Sequence, residues 1–205
     1  RLPEGLRGEL LHFPSVEEAR QLRGSMAASG IRFVRSEDAG YPRRLDDLDD
    51  APPYLFLRGN PFLDPQAPRI AVIGSRAASA AGREIAYALA RDLALLGCVV
   101  LSGLARGIDG DAHRGALESG GSSVAVLGTG PDLCYPAEHQ GLARSLCRRG
   151  GLVSEFPPGA PPRGLHFPRR NRILAALPDA LVVVEGGERS GARSTVDFAL
   201  QLGRE

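Results

Sequence analysis

Arg69-Ile70-Ala71-Val72-Ile73-Gly74-Ser75-Arg76 is the stretch on which the fold turns. Four apolar residues follow one another without polar alternation, as in a parallel strand covered on both faces, and they end on a glycine, a hydroxyl and a cation. The pattern recurs downstream at Cys98–Leu101, Ser123–Leu127, Leu152–Val153 and Ala180–Val184. Helical periodicity fills the intervals 79–96, 109–119, 137–149, 169–177 and 192–202, with Gly97, Gly120-Gly121, Gly150-Gly151 and Gly203 placed to stop four of these helices. Five buried strands alternating with helices predict an open, doubly wound α/β sheet.

Upstream the grammar differs. Ser15-Val16-Glu17-Glu18 reads as a capping box opening a helix that runs to Ser29 and stops at Gly30. Ile31–Val34 reads as a short strand, and Tyr54–Leu57 as an edge strand within a segment rich in Asp and Pro. The acidic run Asp46, Asp47, Asp49, Asp50 is expected in a solvated loop. The division predicted is an N-terminal appendage over residues 1–40 and an α/β domain over 41–205. No internal repeat or low-complexity tract is present.

Composition removes several function classes. The chain has 205 residues, 43% hydrophobic and 24% charged, with a formal charge of +1. All 25 of its Lys+Arg residues are arginine. Without lysine there is no P-loop of the G-x-x-x-x-G-K-[ST] type and no Schiff-base chemistry on a side-chain amine. Three cysteines, Cys98, Cys134 and Cys147, without a C-x-x-C pair suit a reducing cytoplasm. Zinc on Cys134, His139 and Cys147 would need irregular spacing and a fourth ligand, so no metal is expected. No apolar run reaches the roughly 18 residues of a membrane helix. The first residue is Arg1, with no signal peptide behind it, as expected for a piece of a longer chain.

In a doubly wound sheet, ligands bind beyond the carboxyl ends of the strands. Those ends are Gly74-Ser75-Arg76, the loop from Ser102-Gly103 through Arg106-Gly107-Ile108-Asp109, Gly128-Thr129-Gly130, Glu155, and Glu185-Gly186-Gly187-Glu188-Arg189-Ser190-Gly191. Small residues beside hydroxyls, arginines and helix N-termini imply a phosphate-bearing ligand. Neither Gly74-Ser75-Arg76-Ala77-Ala78-Ser79 nor Gly128-Thr129-Gly130-Pro131 completes a dinucleotide fingerprint, so no cofactor is expected. Phe156 to Arg172 stands out: Pro157, Pro158, Pro161 and Pro162 stiffen a loop, and Pro168 suits the first turn of a helix. From His139 to Arg172 there are seven arginines against one acid, Glu155. Local cations with flanking aromatics suit a single strand, whose phosphates are tracked by charge while its bases stack. The structural alternative makes Phe156 and Phe167 core anchors, with an arginine such as Arg172 paired to Asp109 or Glu155.

Catalytic signatures are weak. There is no G-x-S-x-G elbow, H-E-x-x-H or spaced carboxylate set. His113 lies four residues after Asp109, on one helical face, which fits either acid–base work or a helix cap beside a packed histidine. Glu185 or Glu188 could stand over a ribose, or the turn could be a phosphate nest opening a helix at Ser190-Gly191.

These residues, taken in order, resemble the DprA/Smf family of DNA-processing proteins. The marks are Tyr41-Pro42 with Leu45; Leu55 to Asn60; Ile73-Gly74-Ser75-Arg76; Ser102-Gly103, Arg106-Gly107-Ile108-Asp109 and Ala112-His113; Ala125 to Gly130; Tyr135-Pro136; Ser154-Glu155; Phe167-Pro168-Arg169-Arg170-Asn171-Arg172-Ile173; and Val184-Glu185 with Ser190-Gly191 and Thr195. The resemblance covers residues 31–205. It implies an extended Rossmann-like domain, cytoplasmic and homodimeric, that binds single-stranded DNA, protects incoming strands and delivers RecA onto them in natural transformation, with no obligatory catalytic activity. It places DNA contacts at Gly74, Ser75, Arg76, Ser102, Gly103, Arg106, Gly107, Gly128, Arg163, Phe167, Arg169 and Arg170, with Phe167 where relatives stack a base. Asp109, Glu155 and Arg172 take structural roles. Many relatives carry a lysine shortly before that phenylalanine, and here Arg163 and Gly164 stand there instead. The dimer surface would lie on the final helix at Val196, Phe198, Leu200 and Leu202. Relatives usually continue with a further strand and often a winged-helix domain. The rival from another class is a nucleoside-monophosphate phosphoribohydrolase, whose P-G-G-x-G-T-x-x-E turn Glu185-Gly186-Gly187-Glu188 matches poorly.

Overall fold

The computed structural model describes residues 16–62, 64–187 and 190–205. Among these residues six helices and seven strands follow in the order α1 (Val16–Ala28), β1 (Ile31–Arg35), β2 (Tyr54–Gly59), β3 (Arg69–Gly74), α2 (Ala80–Leu95), β4 (Val99–Ser102), α3 (Ile108–Glu118), β5 (Ser123–Val126), α4 (Gln140–Arg149), β6 (Gly150–Ser154), α5 (His166–Ala176), β7 (Ala180–Glu185) and α6 (Ala192–Gln201), with short 3-10 turns at Arg43–Asp47 and Ala137–His139. The predicted alternation stands, within a few residues at each end. Ser15, the expected cap of α1, lies outside the described residues, as do Glu188 and Arg189.

The sheet runs β1-β2-β6-β5-β4-β3-β7. Neighbours from β6 through to β7 are parallel, whereas β2 is antiparallel to both β1 and β6. Tyr54–Leu57 is therefore not an edge strand. Ile31–Arg35 pairs along it and takes the edge, because the short strand after α1 needs a hydrogen-bonding partner and β2 offers its free side.

Alternate residues of the strands feed two cores. On one face Ala71, Ile73, Leu101, Val124, Val126 and Val153 pack against Ile173, Leu174 and Leu177 of the α5 segment and against Tyr41 and Leu45. On the other, Val72 and Val100 meet Ala86, Ala90, Ala112 and Ala116, the small faces of α2 and α3. Leu127 and Leu152 meet Ala143 and Leu146 of α4. Helices thus cover both faces, and the chain reverses its direction of strand addition between β3 and β7. Ligand crevices open at such a reversal, beyond the strand carboxyl ends. Of the final helix, Val196 and Phe198 are half-buried, Leu202 packs against the larger core, and Leu200 is 70% exposed.

The fold also divides the basic segment. Arg163, Arg169, Arg170 and Arg172 lie at or near the crevice end, whereas Arg144, Arg148 and Arg149 are carried away from it along α4. Asp50 and Asp47 of the acidic run are not merely solvated, since they accept from Arg172 and Arg204.

Candidate nucleic-acid interface

A cleft of about 750 Å³ opens at the β3/β7 reversal, walled by Gly74, Ser75, Arg76, Phe167 and Arg170 on one side and Asn171, Ser190, Gly191, Ser194 and Thr195 on the other. A second hollow of about 330 Å³ shares Arg76, Tyr135, Phe167 and Arg170 with it and reaches Gly103 and Arg106. Seven of the residues singled out in the sequence, Gly74, Ser75, Arg76, Gly103, Arg106, Phe167 and Arg170, thus converge on one pair of hollows.

Two turns fix the cleft's rim. Gly107 sits at φ 71°, and a Cβ there would lie 2.3 Å from the Ser75 carbonyl oxygen, so only glycine lets the 103–108 loop close on the 74–76 turn. Leu104, a non-glycine residue at φ 59°, is fully buried, and His139 Nδ1 lies 3.0 Å from its carbonyl oxygen. Asp109 ties the same loop from inside, accepting from the backbone N–H of Gly103 at 3.1 Å and of Ala105 at 3.4 Å. Burial pushes the Asp109 carboxyl up, with the nearby Arg170 guanidinium opposing.

Phe167 is half-buried in the first turn of α5. Its ring rests on Gly128, where an added Cβ would stand 2.9 Å from Cδ1. The Arg76 guanidinium lies 5.2 Å from the ring centroid, within cation–π range, and the Tyr135 ring lies 5.5 Å away at 44°. Phe156 takes the other role: it is buried and stacks on His166 at 4.0 Å, anchoring the proline-rich loop. Tyr135, 43% exposed, is a cleft residue that charge and periodicity did not single out, because an aromatic in a loop carries no periodic signal.

The arginines differ sharply. Arg170 is buried, and its guanidinium donates to the carbonyls of Gly103 at 2.9 Å and of Val126, tying β4 and β5 together beneath the cleft. Burial pulls its pKa down to about 10, so it remains a cation at neutral pH. Arg172 bridges Glu155 at 2.8 Å and Asp50 at 2.7 Å, and Glu155 also receives Arg169 at 3.2 Å. Arg106 is paired with Glu138 on the surface. Arg76 and Arg163 are exposed with no carboxylate partner among the described residues, although Arg163 stands on the loop outside the cleft lining. Ser102 is fully buried, its hydroxyl donating to the Val72 carbonyl at 2.7 Å, so it supports the loop from below.

Helix N-termini decide where an anion can sit. Ser79 caps α2 by accepting from Gly82 N–H, and the Glu185 carboxylate accepts from Ser79 N–H at 3.0 Å and Ser79 Oγ at 2.7 Å. The start of α2 after β3, the position that holds the pyrophosphate in a dinucleotide fold, is thus occupied by this chain's own carboxylate. Glu185 is likewise engaged there and not poised over a ribose. The start of α6 at Gly191 has no side-chain cap and leaves backbone N–H groups for a phosphate, whereas at α5, also uncapped at Leu165, Pro168 has no N–H and His166 N–H donates to the Arg163 carbonyl, which leaves the Phe167 N–H.

Acid–base chemistry at Asp109 and His113 is not what the geometry provides. His113 is fully buried with Nδ1 2.8 Å from Ser123 Oγ, and burial pushes its pKa down to about 3. Among the described residues no three His, Cys, Asp or Glu side chains come close enough to hold a metal. Nor is any helix among them long and apolar enough to cross a membrane.

Comparison with known proteins bears on the family. The family model for DNA recombination-mediator protein A matches residues 32–205. Protein Smf of Escherichia coli is 45% identical over 174 residues, which are 84% of this chain and 46% of that protein. The X-ray structure of DNA processing protein A from Streptococcus pneumoniae superposes with a TM-score of 0.80 at 34% identity, covering 100% of this chain and 74% of that one. The structure of DNA processing protein A from Helicobacter pylori, described for its single-stranded DNA binding mode, gives 0.77 at 27% identity, covering 86% and 80%. The chain spans about half the length of curated relatives such as Smf. The sequence marks, the extended Rossmann-like sheet and these matches agree: the chain belongs to the DNA recombination-mediator protein A family, also called DprA/Smf.

Proposed function

We propose that this chain is a binding module that holds single-stranded DNA, without sequence preference, in the cleft at the β3/β7 reversal. The observation that carries this is Phe167, half-buried on Gly128 and flanked by Tyr135 and Arg76, beside two uncapped helix starts. A ring of that kind accepts any base face, and the helix starts with Arg76 meet the phosphates, so contacts are made to features common to all single strands. Gly74, Ser75, Gly103 and Gly107 let the backbone approach, Gly128 seats the ring, and Arg106 and Arg169 reach phosphates by exchanging Glu138 and Glu155 for them. Arg170 acts from beneath as a fixed positive floor. The phosphate grip that a lysine provides in many relatives is remade by Arg163, exposed at the rim between the lining residues Pro162 and Gly164, or moved to another arginine.

Family resemblance extends the proposal to a non-enzymatic, cytoplasmic role in recombination: protecting incoming strands and loading RecA, as a homodimer joined through the α6 surface at Val196, Phe198, Leu200 and Leu202. Fluorescence anisotropy with labelled oligothymidylate across a salt series tests the binding claim. The expected log–log slope is about −0.7 per phosphate contacted, with duplex of equal length bound more weakly. A flat salt response or equal affinity for duplex would contradict it.

A further inference from the structure

Helix α4 carries Arg144, Arg148 and Arg149, and no acid occurs anywhere from His139 to Ser154. Elsewhere arginines are mostly tied: Arg83 and Arg114 to Asp111, Arg106 to Glu138, Arg172 to Glu155. Arg144, Arg148 and Arg149 are exposed and, with Arg58 on the neighbouring β2, have no ion pair among the described residues. A cation without a counter-charge on a helix of near-neutral protein is free to meet an external anion.

These four arginines line two hollows at the two ends of α4. A hollow of about 220 Å³ between α4 and β2 is lined by Arg58 and Arg144 together with Leu133 and Cys134, the residues just before the cleft's Tyr135. A second, of about 300 Å³, continues at the other end of α4, lined by Asn60, Gly120, Gly121, Arg148 and Arg149. Arg144 and Arg148 are one helical turn apart on one face. The only acid in the first hollow, Asp132, already accepts from Gly159 N–H at 2.9 Å. We propose that this groove is a second track for the phosphodiester backbone, which carries a strand leaving the cleft past Tyr135, over Arg58 and Arg144, to Arg148 and Arg149 at the amino-terminal edge of the sheet. Its occupant is the same single strand, so the proposal rests on the cleft reading above.

The α4 arginines span about 8 Å, five residues of helix from Arg144 to Arg149, beyond the cleft, so a strand just filling the cleft would not use them and a longer one would. The test measures anisotropy of oligothymidylates of about six and about twenty nucleotides on the wild type and on Arg144→Ala/Arg148→Ala/Arg149→Ala across a salt series. The expected result is unchanged affinity for the short strand, with the log–log slope for the long strand shallower by about 2 for three lost contacts. Equal slopes on both strands would overturn the track while leaving the cleft standing. Failure of the wild type to bind either strand would overturn the cleft reading and the track together. A loss on the short strand equal to that on the long one would overturn the track as a separate surface. Thermal unfolding checks that the triple variant folds, and Arg144→Gln/Arg148→Gln, with half-buried Cys147 and core Leu146 untouched, provides the same comparison with an expected slope change of about 1.4 if the triple variant does not.

Discussion

The arginines of α5 and those of α4 belong to one acid-poor stretch of sequence and have opposite fates in the fold. On α5, Arg172 is enclosed with Glu155, Arg170 is tied to two strand-end carbonyls, and Arg169 leans on Glu155. On α4 the three guanidinium groups face solvent without a carboxylate. The difference teaches that charge density along a chain does not locate a binding patch. A helix laid over the crevice with its polar side inward needs cations to hold loops and strand ends in place, whereas a helix on the outer flank needs none for its own stability. Arginine acts as scaffold in the first case and as contact in the second, and its planar fork suits both tasks.

The largest expected effect breaks the scaffold side. Arg172→Ala leaves the buried Glu155 with only the longer contact to the solvent-exposed Arg169, and denaturant unfolding should show a loss of about 3 kcal/mol, the low end of the range for a broken buried pair. Replacing Glu155 as well, with Arg172→Met/Glu155→Leu, should recover most of it, because the uncompensated charge is gone. A loss below about 1 kcal/mol for the single change would mean that α5's cations are not structural.

Next in size is the aromatic contact. Phe167→Ala should weaken oligothymidylate binding by about 1–3 kcal/mol, read by anisotropy, with the melting temperature changed far less than by Arg172→Ala. The cation beside that ring should behave differently. Arg76→Ala should make the salt slope shallower by about 0.7, one phosphate contact, whereas Phe167→Ala should leave the slope alone.

Acid sharpens the comparison from the interior. The folded pKa of His113 is depressed to about 3 by burial, below the ordinary value of 6.5, so the unfolded chain binds the proton first. Its contribution favours the fold above pH 6.5 and is progressively lost as pH falls from there toward 3. His113→Gln should flatten that part of the stability–pH curve relative to the wild type, and parallel curves would contradict the assignment. The smallest effect belongs to α4. Its triple alanine variant should unfold within about 1 kcal/mol of the wild type, the size expected for surface cations near a helix carboxyl end.

The parallel part of the sheet was legible because buried strands and their stops are local signals: Ile70–Ile73 with Gly74, and Ala180–Val184 with Glu185, read directly. The place of β2 was not legible, since Tyr54–Leu57 becomes interior only when β1, from beyond a long Asp- and Pro-rich loop, pairs with it. Gly74, Arg76 and Phe167, read from the sequence as residues at the ligand edge of the sheet, line the cleft. Tyr135 entered only as a mark of the family, with no place in the cleft assigned to it, and the burial of Ser102 and the enclosure of Arg170 beneath strands β4 and β5 were not legible. Each of these depends on which segments meet in space, and a tally of charges along the chain contains no such information. Glu185 shows the same limit: its carboxylate reaches Ser79, 106 residues away in sequence, and closes the helix start that the first strand's turn seemed to offer.

The central claim is that the Phe167 face of the cleft, and not a charged surface at large, takes the single strand. A crystal structure of the chain with a short oligothymidylate tests this most directly. The expected result is a thymine stacked on Phe167 beside Tyr135, with the adjoining phosphates at Arg76 and the uncapped starts of α5 and α6. A strand lying elsewhere, with the Phe167 ring bare and the cleft empty, would contradict it.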